Sequence, residues 1–210
     1  MGSDMIEDRQ ARAKIAQSIG SALDDLVRER MRGLVEEPDI TSRVGQRLED
    51  RFNGKRLGGY RVRVITETIT SHGRTSLEKP LGTDLYFAFS VEDAAGNQTS
   101  KGVLVQAKRE RNCDWTELGE QCRRMKLVTQ KGSVVWLYRP TGIGVIRSTD
   151  VDKRISASID STSFFDLVLE CRIGDRRKVP PGQFGDRDSL KTMLKDLGAK
   201  NAVWLDLDQR

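Results

Sequence analysis

The sequence predicts an α/β protein in which a mixed β-sheet is flanked by helices, with a helical segment at the N-terminus. Three observations carry this prediction. Apolar residues recur at helical spacing over the first fifty residues. From Tyr60 onward, short runs rich in valine, isoleucine and phenylalanine alternate with turn residues, as strands do. The order helix, three strands, helix, strand is typical of a layered α/β core.

The first fifty residues predict two amphipathic helices. The first spans residues 8–34, and its apolar stripe is formed by Ile15, Ile19, Leu23, Leu26 and Met31. The second begins at Asp39, a good N-cap residue, and ends near Phe52. We therefore expect an N-terminal helical segment over residues 1–35 that could contact a second copy of the chain or a partner protein. Residues 36–210 are expected to form one domain.

The middle of the chain predicts the sheet and one helix within it. Strands are expected over residues 60–70, 84–91 and 102–108, where branched and aromatic residues dominate. A helix is expected over 115–128, followed by a strand over 133–138 and a short fifth strand that ends near residue 146. Further on, we expect a strand over 164–173, a helix over 188–197 and a last strand over 202–207. The sequence indicates no function for these last forty residues.

Composition narrows the classes of function. The chain has 36 Lys and Arg against 31 Asp and Glu, a net charge of +5 and a pI near 9.2, which favours a polyanionic partner. The three cysteines lack metal-site spacing and the single histidine, His72, stands in a turn-like context. Histidine-based triads and zinc sites are therefore excluded. No signal peptide or membrane-length apolar run is evident, so a cytoplasmic protein without a membrane partner is expected.

Three polar residues at the ends of the second and third predicted strands carry the chemistry. A connection centred near Gly96 predicts an antiparallel hairpin that places Asp84 opposite Lys108. Gln106 and Lys108 are two residues apart, so their side chains share one face of the sheet. The expected cluster contains a carboxylate, an amide oxygen and an ammonium group.

This grouping suits the hydrolysis of a phosphodiester. Magnesium takes oxygen ligands and keeps several waters, so Asp84, with the amide oxygen of Gln106, could hold it beside a phosphate. Lys108 would position the attacking water or offset charge on the pentacovalent phosphorane. The plain alternative is a surface salt bridge between Asp84 and Lys108.

The motif Gly82-Thr83-Asp84, a strand, a turn and then Val105-Gln106-Ala107-Lys108-Arg109 resembles the PD-(D/E)XK nuclease superfamily. The resemblance is to the Mrr-like and Holliday-junction-resolvase-like branch, in which a Gln-x-Lys motif occurs, and it covers about residues 39–138. It implies a restriction-endonuclease-like core, a Mg²⁺ ion for which Mn²⁺ can substitute, and a DNA substrate. It also suggests a role in restriction or phage defence. RNA stays an alternative substrate.

The resemblance also implies a further acid from the helix before the sheet. Glu49 occupies the matching place and is preferred as a catalytic and metal-binding residue, with Glu67 on the first strand as the competing candidate. Two departures are evident: Thr83 stands where the proline of the family name would be, and Gln106 replaces an acid. A glutamine here also occurs in domains that bind without cutting, so a non-catalytic nucleic-acid-binding or regulatory module is the alternative.

Candidate nucleic-acid contacts surround the Gln-x-Lys motif. Gln121 falls within the apolar stripe of the 115–128 helix, either as a hydrogen-bonded interior amide or as a residue that contacts phosphate near Lys108. Four arginines close to these residues are natural phosphate contacts, although each alone is an ordinary surface charge: Arg109, Arg111, Arg123 and Arg124.

Overall fold

Five α-helices and eight strands make up the part of the chain that the computed structural model describes, residues 4–33, 36–69, 83–129 and 131–210. The helices are α1 (Arg9–Met31), α2 (Glu37–Phe52), α3 (Trp115–Val128), α4 (Ser161–Leu169) and α5 (Arg187–Asp196). The strands are β1 (Arg56–Leu57), β2 (Tyr60–Thr68), β3 (Leu85–Glu92), β4 (Gln98–Arg109), β5 (Ser133–Arg139), β6 (Gly142–Arg147), β7 (Ile159–Asp160) and β8 (Asn201–Asp208). The predicted helix end at Leu34, the predicted strand end at Thr70, and both His72 and Gly82 lie outside the described residues.

All of these strands form one mixed sheet, in the order β1-β2-β8-β3-β4-β5-β6-β7. The β3–β4 pair is antiparallel, while β4 and β5 are parallel and are joined through α3. The predicted α/β class, a mixed sheet flanked by helices, is therefore confirmed. The short predicted strand after Gly142 is also confirmed as β6.

The C-terminal strand lies in the middle of the sheet rather than at its edge. β8 pairs antiparallel with β2 and parallel with β3, and most of its residues are buried. Val203, Leu205 and Leu207 pack on one side of the sheet, and Ala202 and Trp204 pack on the other. The last residues of the chain therefore complete the core.

Helices cover the two faces of the sheet unequally. Buried side chains of α1, α2 and α4 pack on one face, which we call the aromatic face because it holds the ring cluster around Phe87 and Trp136. Buried side chains of α3 and α5 pack on the other, which we call the α3 face. Because side chains alternate along β4, Val105 and Ala107 point to the aromatic face and Leu104 to the α3 face.

The predicted strand over residues 164–173 is wrong, because this segment begins in α4. The Asp160 side chain accepts a hydrogen bond from the backbone N–H of Ser163, which caps the helix. Phe164, Phe165 and Val168 are buried at helical spacing against the core. An apolar run with both faces rich in large residues fits a buried helix as well as a strand, so the pattern alone favoured the wrong element.

The predicted helix boundaries are otherwise close to the observed ones. α1 has Asp8 as its N-cap, and α3 covers the predicted range with Asp114 as its N-cap. The predicted cap of α2 is wrong: the helix begins two residues before Asp39, with Glu36 at the N-cap position and Pro38 in its first turn. Proline is well placed there because the first turn has no intrahelical N–H bonds to lose.

The apolar stripe of α1 is buried within the chain itself. Ile15, Ile19, Leu23 and Leu26 belong to the main core, where α1 packs on α2, α4 and β6. A contact with a second chain or a partner would therefore have to use the exposed side of α1. Within the described residues, no helix is both long enough and apolar enough to cross a membrane.

Candidate active site

The β3–β4 hairpin brings two of the predicted site residues into contact, with a register that differs from the predicted one. Leu85 pairs with Val105, and the backbone N–H of Asp84 donates to the carbonyl of Val105 at 2.9 Å. Asp84 therefore stands beside Gln106, and the predicted pairing of Asp84 opposite Lys108 is wrong by two residues.

The shift originates in the turn of the hairpin. Glu92 pairs with Gln98, so the hairpin is centred on residue 95 rather than on Gly96. The Asp93 side chain accepts hydrogen bonds from the backbone N–H groups of residues 95 and 97, at 2.9 and 2.8 Å. Hydrogen bonds from the turn backbone to the Asp93 side chain stabilise a loop of this length, and the loop length determines which residues of the two strands pair.

The Asp84 carboxylate is held by the neighbouring strand. Its Oδ2 accepts hydrogen bonds from Nε2 of Gln106 and, at 3.0 Å, from the backbone N–H of Ala107. The Asn201 side chain on β8 donates to the backbone carbonyl of Asp84 at 3.2 Å. Asp84 is half-buried and Gln106 is buried, so the carboxylate is oriented by the sheet at the point where β3 begins.

Lys108 continues the same face of β4 and meets helix α3. Its Nζ lies 3.5 Å from Oε2 of Glu117, and the Gln121 side chain donates to Oε1 of Glu117 at 2.9 Å. Gln121 is half-buried, and its own Oε1 has no hydrogen-bond partner among the described residues. Gln121 was predicted to lie beside Lys108. In the structure the two side chains are connected through Glu117, which contacts both of them.

The two acids considered for the third position lie away from this cluster. Glu49 of α2 accepts a hydrogen bond from Oγ1 of Thr66 at 3.3 Å. Glu67 pairs with Arg187 of α5 at 2.7 Å. Thr66 and Glu67 both belong to β2, which β8 separates from β3. The inserted strand thus places Glu67, and the Thr66 that Glu49 contacts, two strands away from the strand that Asp84 precedes, about 10 Å across the sheet.

An acid that the sequence analysis missed lies closer. Glu37, in the first turn of α2, accepts a hydrogen bond from the backbone N–H of Arg109 at 2.7 Å, just beyond Lys108 on β4. The first turn of a helix favours a carboxylate because of the helix dipole. The sequence signal was present as two acids before Pro38, but which end of α2 meets β4 depends on the tertiary packing.

The buried phenol of Tyr138 is affected by the negative charges of both Glu37 and Asp84. Its hydroxyl shares a 2.8 Å hydrogen bond with Thr41 of α2. Burial raises the pKa of Tyr138 far above its usual value, and the negative charges of Asp84 and Glu37 raise it further. The two carboxylates are therefore near enough to act on the same group, and Tyr138 stays a neutral phenol.

A thiol is also close to Lys108, but it is not an available nucleophile. Burial raises the pKa of Cys113 to about 11, against the opposing effect of the Lys108 charge. At neutral pH Cys113 is therefore protonated, which agrees with the expectation that carboxylates, amides and lysines carry the chemistry.

The oxygen atoms around Asp84 fit a hard divalent cation. Oε1 of Gln106 is buried without a hydrogen-bond partner among the described residues, as is Oγ1 of the adjacent Thr83. Gln106 turns its NH₂ group to Asp84, and rotation of the terminal amide would offer its oxygen instead. No three His, Cys, Asp or Glu side chains of the described residues form a ready metal site. Solvent or phosphate oxygens would complete the coordination, as Mg²⁺ prefers.

The four predicted arginines lie on two sides of this cluster. Arg109 and Arg111, together with Arg32, line a cleft of about 660 Å³ between the end of α1 and the end of β5. Arg123 and Arg124 are exposed on α3 and form no ion pair with the described residues. The placement leaves basic groups on both sides of the Asp84–Lys108 cluster.

Compared with known protein families, with curated proteins and with solved structures, the chain matches none. The geometry of its own residues is therefore the basis for a functional assignment.

Proposed function

We propose that this chain is a metal-dependent nuclease that hydrolyses DNA phosphodiester bonds at the cluster of Asp84, Gln106 and Lys108. The observation that carries the proposal is the convergence of a carboxylate, a buried amide and a lysine on one end of an antiparallel hairpin. The resemblance to PD-(D/E)XK nucleases suggests a role in restriction or phage defence.

The order of elements supports a restriction-endonuclease-like core. Apart from the two-residue strand β1, the elements α2, β2, β3, β4, α3 and β5 follow one another as helix, three strands, helix and strand, and the β4–β5 pair is parallel. The insertion of β8 between β2 and β3 is a feature that the resemblance does not imply. The insertion leaves the β3–β4 hairpin intact, so the proposed site does not depend on it.

Each residue of the cluster has a different role in the proposed hydrolysis. Asp84 and the oxygen of Gln106 would hold Mg²⁺ or Mn²⁺, which supplies Lewis-acid stabilisation of the phosphoryl oxygens when bound. Lys108 would place its ammonium group against the charge that develops on the phosphorane, with Glu117 orienting Nζ. Glu37 is the additional acid that we favour, because it lies at the end of β4.

DNA is the proposed substrate because four arginines lie near the cluster and could contact phosphates. Arg123 and Arg124 on α3, and Arg109 and Arg111 in the cleft, would contact phosphates and fix the position of the duplex. Replacing Arg123 and Arg124 by glutamine is expected to weaken DNA binding at low salt. The slope of log affinity against log salt should fall by about 0.9 for each phosphate that the variant no longer neutralises.

The test is a plasmid-cleavage assay with Mg²⁺, with Mn²⁺ and with EDTA. Asp84→Asn should reduce metal-dependent cleavage to background, since the carboxylate proposed to bind the metal is lost. Lys108→Met should lower the rate by about 10²–10³-fold, the range seen when one group that stabilises the transition state is removed. Asp50→Asn makes the same carboxylate-to-amide change at an exposed position of α2 and is the matched control.

Binding of DNA, measured by fluorescence anisotropy, separates chemistry from affinity. Asp84→Asn should bind DNA at least as well as the wild type, because removing a negative charge does not weaken attraction to phosphate. Cleavage that persists in Asp84→Asn, or that resists EDTA, would contradict the proposed site.

The acid contributed by α2 is identified by a second pair of variants. Glu37→Gln should impair cleavage and raise the Mg²⁺ concentration needed for half-maximal rate, because Glu37 reaches the end of β4. Glu49→Gln removes the acid that contacts Thr66 instead. If Glu49→Gln has the larger effect on the Mg²⁺ concentration needed, Glu49 is the metal-binding acid and Glu37 is not.

A non-catalytic nucleic-acid-binding module is the second candidate. The observation in its favour is that Gln106 presents its NH₂ group to Asp84, so the two hydrogen-bond directly without a cation. In this case the wild type binds DNA but does not cut it with any metal. Gln106→Glu then restores a second carboxylate, and a gain of metal-dependent cleavage in that variant would identify a decayed nuclease site.

A further inference from the structure

A second polar cleft lies at the opposite end of β5 from the candidate active site. It has a volume of about 520 Å³ and is lined by Lys131, Ser133, Arg147, Thr149, Cys171 and Arg172. Lys108 lies opposite Leu137 in the β4–β5 register, and Ser133 precedes Leu137 by four residues. The two sites are therefore separated by about 13 Å along the strand.

The charge of this cleft has one sign. Lys131, Arg147 and Arg172 are exposed cations, and no carboxylate is among the residues that line the cleft. Arg172 is held by Glu170 at 2.9 Å, whereas Lys131 and Arg147 form no ion pair with the described residues. Three cations grouped without a lining acid repel one another, and an anion would relieve that repulsion.

A buried hydroxyl group supplies a directional donor next to these cations. Ser133 lines the cleft and is only 4% exposed, and its Oγ has no hydrogen-bond partner among the described residues. The neighbouring pair in the β5–β6 ladder is Val134 with Arg147, so Ser133 lies next to Arg147 at the end of the two strands. A buried hydroxyl without a partner costs about 1–3 kcal/mol, so Ser133 favours a ligand that accepts a hydrogen bond from it.

Cys171 lines the same cleft with its sulfur atom between two further cations. Its backbone is in the left-handed region at φ 61°, and Nη2 of Arg176 lies 3.6 Å from Sγ. The buried Lys101 donates to the carbonyl of Val168 and interacts with the Cys171 sulfur. Two further cations, Arg176 and Lys101, therefore lie beside the thiol that lines the cleft.

We propose that this cleft is a binding site for the phosphate group of a nucleotide-sized ligand, separate from the candidate active site. The rim cations would neutralise a phosphate dianion, and the Ser133 hydroxyl would donate to one of its oxygens. The volume exceeds that of a phosphate ion and falls in the range of small-ligand sites, which favours a phosphate ester. A phosphate of the DNA backbone would present the same chemistry.

Cys171 provides a reporter for occupancy of the cleft. The experiment measures the rate at which iodoacetamide, a neutral reagent, alkylates Cys171, with peptide mass spectrometry to separate it from Cys113 and Cys122. Inorganic phosphate, adenosine monophosphate and a duplex oligonucleotide are each titrated at constant ionic strength set with chloride. We expect saturable protection by phosphate and stronger protection by the monophosphate ester.

The variants assign the protection to named groups. Ser133→Ala and Arg147→Gln should each weaken protection about tenfold, the loss of one hydrogen bond to a charged group. Arg61→Gln removes an exposed cation on β2, far from the cleft, and should leave protection unchanged. A thermal unfolding curve of each variant checks that the fold is retained.

The results distinguish a DNA phosphate from a small phosphate ligand, and they also show whether the cleft binds phosphate at all. Protection by the oligonucleotide as strong as by the monophosphate identifies the cleft as a contact for the DNA backbone, and protection by the small anions alone identifies a small ligand. The absence of protection by phosphate beyond that of chloride overturns the proposal. So does equal protection in Arg147→Gln, and neither result depends on whether the chain cuts DNA.

Discussion

The aromatic face and the α3 face of the sheet differ in what they bury. On the aromatic face, large rings pack against one another beneath three helices, and this cluster comprises Phe87, Phe89, Trp136, Phe164 and Phe165. On the α3 face, β4 carries an apolar residue, Leu104, and then two polar ones, Gln106 and Lys108, toward the end of the strand. The same strand therefore contributes core to one face and polar groups to the other.

The difference shows how one sheet separates stability from chemistry. The aromatic face is dominated by packed rings, so most residues there are constrained by volume, and its polar exceptions include the Tyr138–Thr41 hydrogen bond and the unpartnered Nε1 of Trp136. The α3 face leaves oxygen atoms of Gln106 and Gln121 without partners among the described residues, an arrangement that lowers stability but keeps those atoms available. The comparison predicts opposite responses to substitution on the two faces.

The largest effect on stability should come from the ring cluster of the aromatic face. Phe87 contacts Phe89, Trp136 and Phe165, with ring centroids 5.4, 5.7 and 6.0 Å away. Phe87→Ala should lower the free energy of unfolding by about 3–5 kcal/mol, because it removes a buried ring and leaves a cavity. Urea denaturation followed by circular dichroism measures the change.

The counterpart on the α3 face is Gln106→Met. This substitution keeps the volume and removes a buried oxygen that has no partner among the described residues, but it also removes the Nε2 donor to Asp84. Asp84 keeps the hydrogen bond from the backbone N–H of Ala107, so the free energy of unfolding should fall by about 1–2 kcal/mol, less than in Phe87→Ala. Similar losses in Phe87→Ala and Gln106→Met would show that the two faces do not differ as described.

Lys101 is a charged residue within the aromatic face and should make its stability depend on pH. Burial lowers the pKa of Lys101 in the folded chain from 10.5 to about 8, with partial compensation from Cys171. Between these values the unfolded chain binds a proton that the folded chain has released, so stability rises with pH. Over the whole window the rise should be about 3 kcal/mol.

The measurement compares urea denaturation at pH values below 8 and near 10.5. Both the reference chain and Lys101→Met carry Cys171→Ser, so that thiol titration does not contribute. The reference chain should gain stability relative to Lys101→Met as the pH rises through this window. Parallel stability–pH profiles of the reference chain and Lys101→Met would show that burial does not lower the pKa of Lys101.

The packing of α1 on α4 gives a smaller effect. A Cβ atom on Gly20 would lie 2.8 Å from the backbone nitrogen of Thr162 and 2.9 Å from its Cα, so the two helices would have to separate. Gly20→Ala should therefore lower the free energy of unfolding by about 1–3 kcal/mol, in spite of the better helix propensity of alanine. A thermal midpoint equal to or above that of the wild type would contradict this close approach.

Most of the fold was predictable because its elements have strong local periodicity. α3 and β2 to β5 were expected within a few residues of where they lie, from apolar spacing and turn residues. The strand expected over residues 164–173 was wrong because a short buried helix and a buried strand have the same composition. The position of β8 between β2 and β3 depends on long-range pairing, which no local pattern encodes.

The candidate site was predictable where it depends on one hairpin. Asp84 and Gln106 meet because they are close in a local antiparallel pair, and the error of two residues came from the turn at Asp93. Glu37 was missed because its approach to β4 is set by how α2 crosses the sheet. Local pairing can be inferred from a sequence, whereas the contact of a helix end with a distant strand requires the packing.

The smallest effect tests the comparison with an identical substitution on the other face. Gly119 lies within α3, and a Cβ atom there would meet nothing within 4 Å. Gly119→Ala should raise the free energy of unfolding by up to about 1 kcal/mol, because alanine loses less backbone entropy in a helix. For a chain of this size that is a rise of about 2–4 °C in thermal midpoint. Loss of stability in Gly119→Ala would show that α3 is packed as tightly as α1. Opposite signs for Gly20→Ala and Gly119→Ala would instead establish that the helix beside Lys108 has room that the aromatic face lacks.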